Sequence, residues 1–269
     1  MPGDPISSLA NPRVKAAVKL RRSRDRRATG LLLAEGPREV VRAMHAGLVP
    51  RDLFVCESLL PPLEGPPPRW LESATPVSQP VLKHLAYRDE PEGLLGVFEA
   101  PRFSPTDLLA GQNPLILVAV GTAKPGNLGA MVRTAAAAGA TGVLAAGAMV
   151  DPFNPNAIRA STGAVFEVPV VHMPEADAIA WLQQHRIQIL AALVDGTDAY
   201  CEVEAAGPTA VVIGPEDSGL GPAWDAAARA GGASVRIPMS TTAVDSLNAS
   251  VTAGILLFDA VRRRRELGG

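Results

Sequence analysis

The chain has 269 residues, 47% of them hydrophobic, with 25 Lys and Arg against 27 Asp and Glu. Such a chain buries a sizeable core and is neither a disordered polyelectrolyte nor a collagen-like repeat; its length suits two modest domains. Its apolar runs, such as Leu115 to Val120, stop at six residues, far below the roughly 20 that span a bilayer. Met1 to Pro5 carries no charged start followed by an apolar stretch, so a secretory leader is not expected and a reducing cytoplasm is. Cys56, Cys201, His45, His84, His172 and His185 form no CxxC, HExxH or paired zinc spacing, so no metal is expected.

The net charge of −2 conceals an asymmetry. Residues 1–30 hold Arg13, Lys15, Lys19, Arg21, Arg22, Arg24, Arg26 and Arg27 against Asp4 and Asp25, a charge of +6 that leaves the rest at −8. That end could seat a polyanion or simply be a solvated helix face. Aromatic residues make up 4% of the chain, too few for a surface built mainly of base-stacking platforms.

In chain order, a basic helix is expected over about 11–25, then a strand at Leu31 to Ala34. A helix from about Pro37 to Ala46 follows, with Val40, Val41 and Met44 at helical spacing, and a strand from Asp52 to Cys56. Leu59 to Pro68 is broken by five prolines; short helices near Trp70 and over Val81 to Tyr87 lead into a strand at Leu94 to Phe98. Ala100 to Pro114, with three prolines and no clear period, reads as connecting chain. The domains are placed at 1–105 and 115–269, with 106–114 as the linker.

Six apolar segments then recur: Leu115 to Val120, Gly142 to Ala146, Glu167 to Val171, Ile187 to Val194, Ala210 to Ile213 and Val235 to Ile237. Strands apolar on both faces and alternating with helices predict a mostly parallel sheet covered on both sides. Ligands of such sheets bind in loops beyond the carboxyl ends of the strands. The loops to inspect are Gly121 to Asn127, Gly214 to Gly221 and Pro238 to Asn248.

The first loop runs into a helix expected over Ala130 to Ala138. Asn127 would cap it, and Arg133, about one and a half turns in, could reach back over the helix start to make an anion seat. The glycines could equally serve only tight packing. In the second loop, Gly214 would let a ligand approach the backbone and Glu216 rides a turn set by Pro215, which is also how an ordinary strand-to-helix turn looks. In the third, Ser246 and Asp245 have the character of caps. Asn248, a poor helix former just ahead of the apolar stripe Val251, Ile255 and Phe258, is expected to have a partner.

Taken in order, Asn127-x-Gly129-x-x-x-Arg133-Thr, Gly214-x-Glu216-x-x-Gly219-Leu and Ile237-Pro-Met to Ser246-Leu-Asn-x-Ser-Val251 resemble the three motifs of the SpoU/TrmH branch of the SPOUT methyltransferases. Asp151-Pro to Asn154-Pro and Arg159-Ala-Ser-Thr-Gly163 resemble that family's connecting segment. Asn11-Pro-Arg-Val-Lys with Glu35-Gly-Pro-Arg-Glu39 is similar to its N-terminal extension. The resemblance implies a SPOUT-type parallel sheet with a carboxyl-terminal trefoil knot, preceded by a small α/β, L30e-like RNA-binding domain. It also implies a homodimer that methylates a ribose 2'-hydroxyl in RNA with S-adenosylmethionine.

By position, Gly214, Ile237 and Leu247 would cradle the adenosine part of the cofactor, with Met239 and Leu220 as walls. Arg133, Glu216, Ser246, Asn248 and Asn127 would surround the reacting centre, Arg133 coming in a dimer from the other subunit. Arg13, Lys15, Lys19, Arg22, Lys124 and Arg159 are the expected RNA contacts. Two departures stand out. Lys124 occupies a place often acidic in the family, and the loop from Ser240 to Asp245 is slightly long.

A guanidinium is a poor base at neutral pH, so Arg133 is read as a phosphate clamp that also steadies the developing alkoxide. Glu216 either anchors the loops or takes the proton through water. The expected target is 23S rRNA, with tRNA as the alternative. A non-catalytic RNA-binding protein of the same fold is the competing class, and a nucleotide-dependent oxidoreductase is disfavoured because no GxGxxG is present.

Overall fold

The computed structural model describes residues 4–62, 68–147, 150–241 and 243–268. Part of the five-proline segment, part of the opening Met1 to Pro5 stretch and Thr242 of the third loop therefore lie outside the described residues. The chain divides into two compact units: Met1–Arg102 together with Phe153–Glu167, and Phe103–Pro152 together with Val168–Gly269.

The first unit opens with α1 (Pro12–Lys19) and α2 (Ser23–Thr29), where one continuous helix was expected. Asn11 accepts from the Arg13 amide and Pro12 takes the first helical position, so α1 starts as its sequence dictates. It stops because Leu20 is buried and Arg22 turns extended. The buried Arg26 then donates to the carbonyls of Leu20 at 2.7 Å and Arg21 at 3.0 Å, satisfying acceptors that the helix end leaves open. Gly30, at φ +67°, closes α2 in the left-handed region.

There follow β1 (Leu31–Glu35), α3 (Pro37–His45), β2 (Pro50–Val55), α4 (Arg69–Glu72), β3 (Thr75–Pro76), α5 (Gln79–Leu85) and β4 (Leu94–Glu99). The sheet order is β1-β4-β2-β3, with β4 antiparallel to both its neighbours. Val14, Ala17 and Leu20 pack with Leu33, Phe54, Val81 and Leu85 into one core.

The second unit carries β5 (Leu115–Val120), α6 (Pro125–Ala137) and β6 (Gly142–Ala146). The chain then supplies α7 (Pro155–Ala160), which belongs to the first unit, where Arg42 donates to the Thr162 carbonyl and hydroxyl at 2.5 and 2.7 Å. It continues with β7 (Val170–Met173), α8 (Glu175–Gln184), β8 (Gln188–Ala192), β9 (Asp198–Ala199), β10 (Thr209–Ile213), α9 (Pro222–Gly231), β11 (Gly232–Arg236) and α10 (Ala249–Gly268). All seven strands are parallel, in the order β7-β6-β5-β10-β8-β11-β9. Every residue of β5 and β10 is buried, the condition of central strands covered on both faces.

The six apolar segments correspond to β5, β6, β7, β8, β10 and β11; the two-residue β9 had no such signature. The expected linker is folded in part. Pro105–Leu109 is a 3-10 turn closed by a reciprocal Ser104–Asp107 capping box, and Leu108 is fully buried in the core that holds Trp224. At the other end Arg264 donates to the carbonyls of Ala205, Asn113, Pro114 and Gly207, stapling α10 to the amino ends of β5 and β10.

Candidate active site

Strands β8, β10 and β11 of the second unit deliver their carboxyl ends to a cavity of about 360 Å³. Gly214, Ile237, Met239 and Leu247 line it, as do Glu216 and Ser246. Residues that the sequence reading missed line it too: Leu193 and Val194 after β8, Asp217 in the second loop and Asp245 in the third. The rule that ligands sit beyond strand ends applied equally to the end of β8, so that signal was available. Leu220 instead packs against the sheet core and is not part of the lining. Glu216, Asp217 and Asp245 are the charged lining residues, and no basic side chain lines the cavity among the described residues.

Gly214 also answers a packing requirement of its own turn. A Cβ there would sit 2.7 Å from the backbone of Gly219 and Leu220, so the close approach is between the two limbs of its own turn.

Glu216 is where the three loops meet. One carboxylate oxygen accepts from Lys124 Nζ at 2.9 Å and the other from Asn248 Nδ2, and Asn127 and the Ala249 backbone also favour its ionised form. The Lys124 bond is the largest cause that holds this carboxyl below the usual glutamate range, helped by Asn127 and Ala249 and opposed by burial. Lys124 is raised in turn by Glu216. A carboxylate that accepts from an ammonium on one oxygen and from an amide on the other loses basicity. Glu216 is therefore suited to holding loops together, and poorly suited to taking a proton.

Asn248 has the partner its sequence position called for. Its Nδ2 goes to Glu216 while its Oδ1 accepts from the Ser250 amide at 2.9 Å and hydroxyl at 2.6 Å, capping α10. Asn127 is not a cap. The helix starts earlier than expected because Pro125 fixes φ at its first position, so Lys124 is the cap residue and Asn127 lies in the first turn. Arg133 consequently sits about two turns in, exposed, with no hydrogen bond or ion pair to another described residue.

The expected RNA contacts divide. Lys15, Lys19 and Arg22 are exposed on the first unit, and exposed Arg159 donates to Asn156 at 3.2 Å within it. Arg13 is engaged by Asp52 and Thr75 and lies 5.4 Å over the Phe54 ring, so it belongs to the fabric of that unit. Lys124 is held by Glu216.

A cavity with acidic residues in its lining, beyond the carboxyl ends of a parallel sheet, defines an α/β protein with a candidate ligand site at its strand ends. The SpoU rRNA Methylase family model matches residues 114–258, and an MRM3-like substrate binding domain matches residues 11–96. The chain belongs to the SpoU rRNA methylase family. It is 36% identical over 146 residues to a 23S rRNA (uridine(2479)-2'-O)-methyltransferase of Streptomyces viridochromogenes, a match covering 52% of this chain and 50% of that relative. Among solved structures it resembles an RNA 2'-O ribose methyltransferase, with TM-score 0.84 and 39% identity over 97% of this chain and 100% of the other. It also resembles an AdoMet-bound rRNA methyltransferase from Sinorhizobium meliloti, with TM-score 0.82 and 29% identity over 96% and 97% of the two chains.

Proposed function

We propose that this protein methylates a ribose 2'-hydroxyl of structured RNA with S-adenosylmethionine, and that the RNA is 23S rRNA. The observation that carries the reading is the cavity, which is of a size for a nucleoside cofactor and is walled by Glu216, Asp217 and Asp245 with no lining cation among the described residues. Such walls favour a ligand bearing a sulfonium. The relatives' activities point the same way.

When bound, S-adenosylmethionine would supply an electrophilic methyl on a sulfonium, so that a bond from the 2'-oxygen to that methyl would form as the C–S bond breaks with its electrons left on sulfur and the hydroxyl proton leaving to water. The chain's task is to bring the oxygen into line, and positioning supplies most of the rate. Ile237, Met239 and Leu247 wall the adenosine end. Glu216, through Asn127 and Asn248, fixes the three loops around the reacting centre. Arg133, always charged, clamps the neighbouring phosphate and hydrogen-bonds the alkoxide as it develops. Lys15, Lys19, Arg22 and Arg159 hold the RNA backbone.

The working form in this reading is a cytoplasmic homodimer with a carboxyl-terminal trefoil knot. Val251 and Phe258, about half exposed on one stripe of α10 with Ile255, support a self-association face. Arg133 does not line the cavity of its own chain, which supports its serving the partner's site.

The test combines thermal shifts with S-adenosylmethionine, S-adenosylhomocysteine and NAD with transfer of labelled methyl to protein-free 23S rRNA and to tRNA. Stabilisation by the first two ligands and methylation of 23S rRNA is expected. Transfer to tRNA alone would reassign the substrate. Binding of RNA without methyl transfer would leave a non-catalytic RNA-binding protein, and stabilisation by NAD alone would overturn the reading.

A further inference from the structure

The ion pair between Lys124 and Glu216 ties the start of α6 to the turn after β10. Lys124 precedes Pro125, which disfavours helical backbone at Lys124, and its φ of −94° and ψ of 120° are extended. That conformation sends the side chain out of the helix start. Glu216 faces Lys124 and Asn127 from the first loop and helix, and Asn248 and the Ala249 amide from the third loop. Asp217, its neighbour, acts on Lys124 electrostatically. Of Lys124 and Asn248, which donate to the Glu216 carboxylate, Lys124 is the charged one and Asn248 the neutral one. Without Lys124 the largest cause of the lowered Glu216 carboxyl is lost and only neutral amides face the carboxylate.

Resting on the methyltransferase reading above, we infer that Lys124 is a positioning residue for methyl transfer: it keeps Glu216 as the ionised hub that holds Asn127 and Asn248 in place, and it does not hold RNA. The sequence pattern left this open, because a lysine where the family is often acidic looks like an added phosphate contact. Its ammonium is directed at 2.9 Å to the Glu216 carboxylate, so part of its charge is spent within the protein.

The experiment uses the full chain and its K124M, K124Q and K124R variants, with circular dichroism to show that each is folded. Carbon-13 NMR follows the Glu216 carboxyl through its titration, which needs neither RNA nor cofactor. The midpoint should move upward in K124M and K124Q and return toward the original in K124R. With labelled S-adenosylmethionine and protein-free 23S rRNA at saturation, kcat should fall on the order of tenfold in K124M. The acid limb of its pH profile should move upward with the NMR midpoint, whereas KM for RNA and its salt dependence should hold.

An unchanged Glu216 midpoint in K124M and K124Q would overturn the inference whatever the activity. A raised KM and shallower salt slope with unchanged kcat would overturn it in favour of an RNA contact. If the parent chain methylates no RNA, the methyltransferase reading fails while the NMR midpoint still decides whether Lys124 governs Glu216.

Discussion

Two arginine-rich stretches, one at each end of the chain, look alike in the sequence and behave differently in the structure. Over residues 13–27, Arg13 and Arg26 are tied into the fold, while Lys15, Lys19, Arg22, Arg24 and Arg27 are exposed. Over Arg262 to Arg264, pairing is the rule. Arg262 bonds Asp259 and Glu266, Arg263 bonds Asp259 and the Cys201 carbonyl, and Arg264 reaches four carbonyls. The difference lies in the acceptors. Helix α10 carries its own carboxylates at spacings of three and four residues, and its last turns meet strand ends with open carbonyls. Helix α1 has no acidic residue in its first turn and offers its cations nothing along its own length. A run of like charge is therefore a binding surface only where the fold leaves it unspent.

The largest effect that would sharpen this contrast concerns a cation outside both stretches. Arg133→Ala should lower methyl transfer on the order of a hundredfold or more while S-adenosylmethionine affinity, read by calorimetry, stays within a few fold, because Arg133 does not line the cavity. Loss of cofactor binding instead would place it in the pocket.

Next comes the unspent face. Neutralising Lys15, Lys19, Arg22 and Arg24 together should make the dependence of log RNA affinity on log salt shallower by about 3, with melting temperature little changed. An unchanged slope would return these residues to the status of a solvated helix face. Deleting residues 1–105 is the poorer experiment, since it strips Phe153–Glu167 of the unit in which that segment packs.

The committed arginines should show the opposite behaviour. Arg264→Ala should cost about 2 kcal/mol of stability in denaturant unfolding, as charged hydrogen bonds to otherwise open carbonyls are lost, and should leave the salt slope alone. Arg262→Ala, at an exposed i,i+4 pair, should leave the unfolding midpoint nearly unchanged. If the two costs are equal, the distinction between the two ends fails.

A smaller effect follows from pH. Because the folded protein holds Glu216 below its ordinary range, this group contributes stability that is fully present above that range and is lost as pH falls through the lowered value. In K124M this acid-dependent loss should be smaller and complete at a higher pH, measurable as melting temperature against pH. Identical acid profiles would contradict the assigned partnership.

Much of the fold was legible in order along the chain. Strands such as β5 and β10 are apolar on both faces, and that signature survives without any knowledge of neighbours. Asn248, a poor helix former at a helix start, announced a partner, and the structure gives it Glu216. Other features could not be read, because each depends on residues far away in sequence. The break between α1 and α2 rests on Arg26 turning back to the carbonyls of Leu20 and Arg21. The folding of the supposed linker rests on Leu108 finding the core of the second unit. Lys124 looked like a free charge until Glu216, 92 residues on, was seen beside it.

The sequence by itself determined most of the strands and longer helices, where the parallel sheet opens its loops, and which residue types stand in the three motifs, since these follow from local periodicity and spacing. Only the tertiary structure decided which cations are committed and which are free, why Gly214 is glycine, that Leu220 faces the core, and that one carboxylate joins the three loops. Those are pairings across long sequence separations, and a hydrogen bond or ion pair exists only once folding has brought its donor and acceptor within about 3 Å.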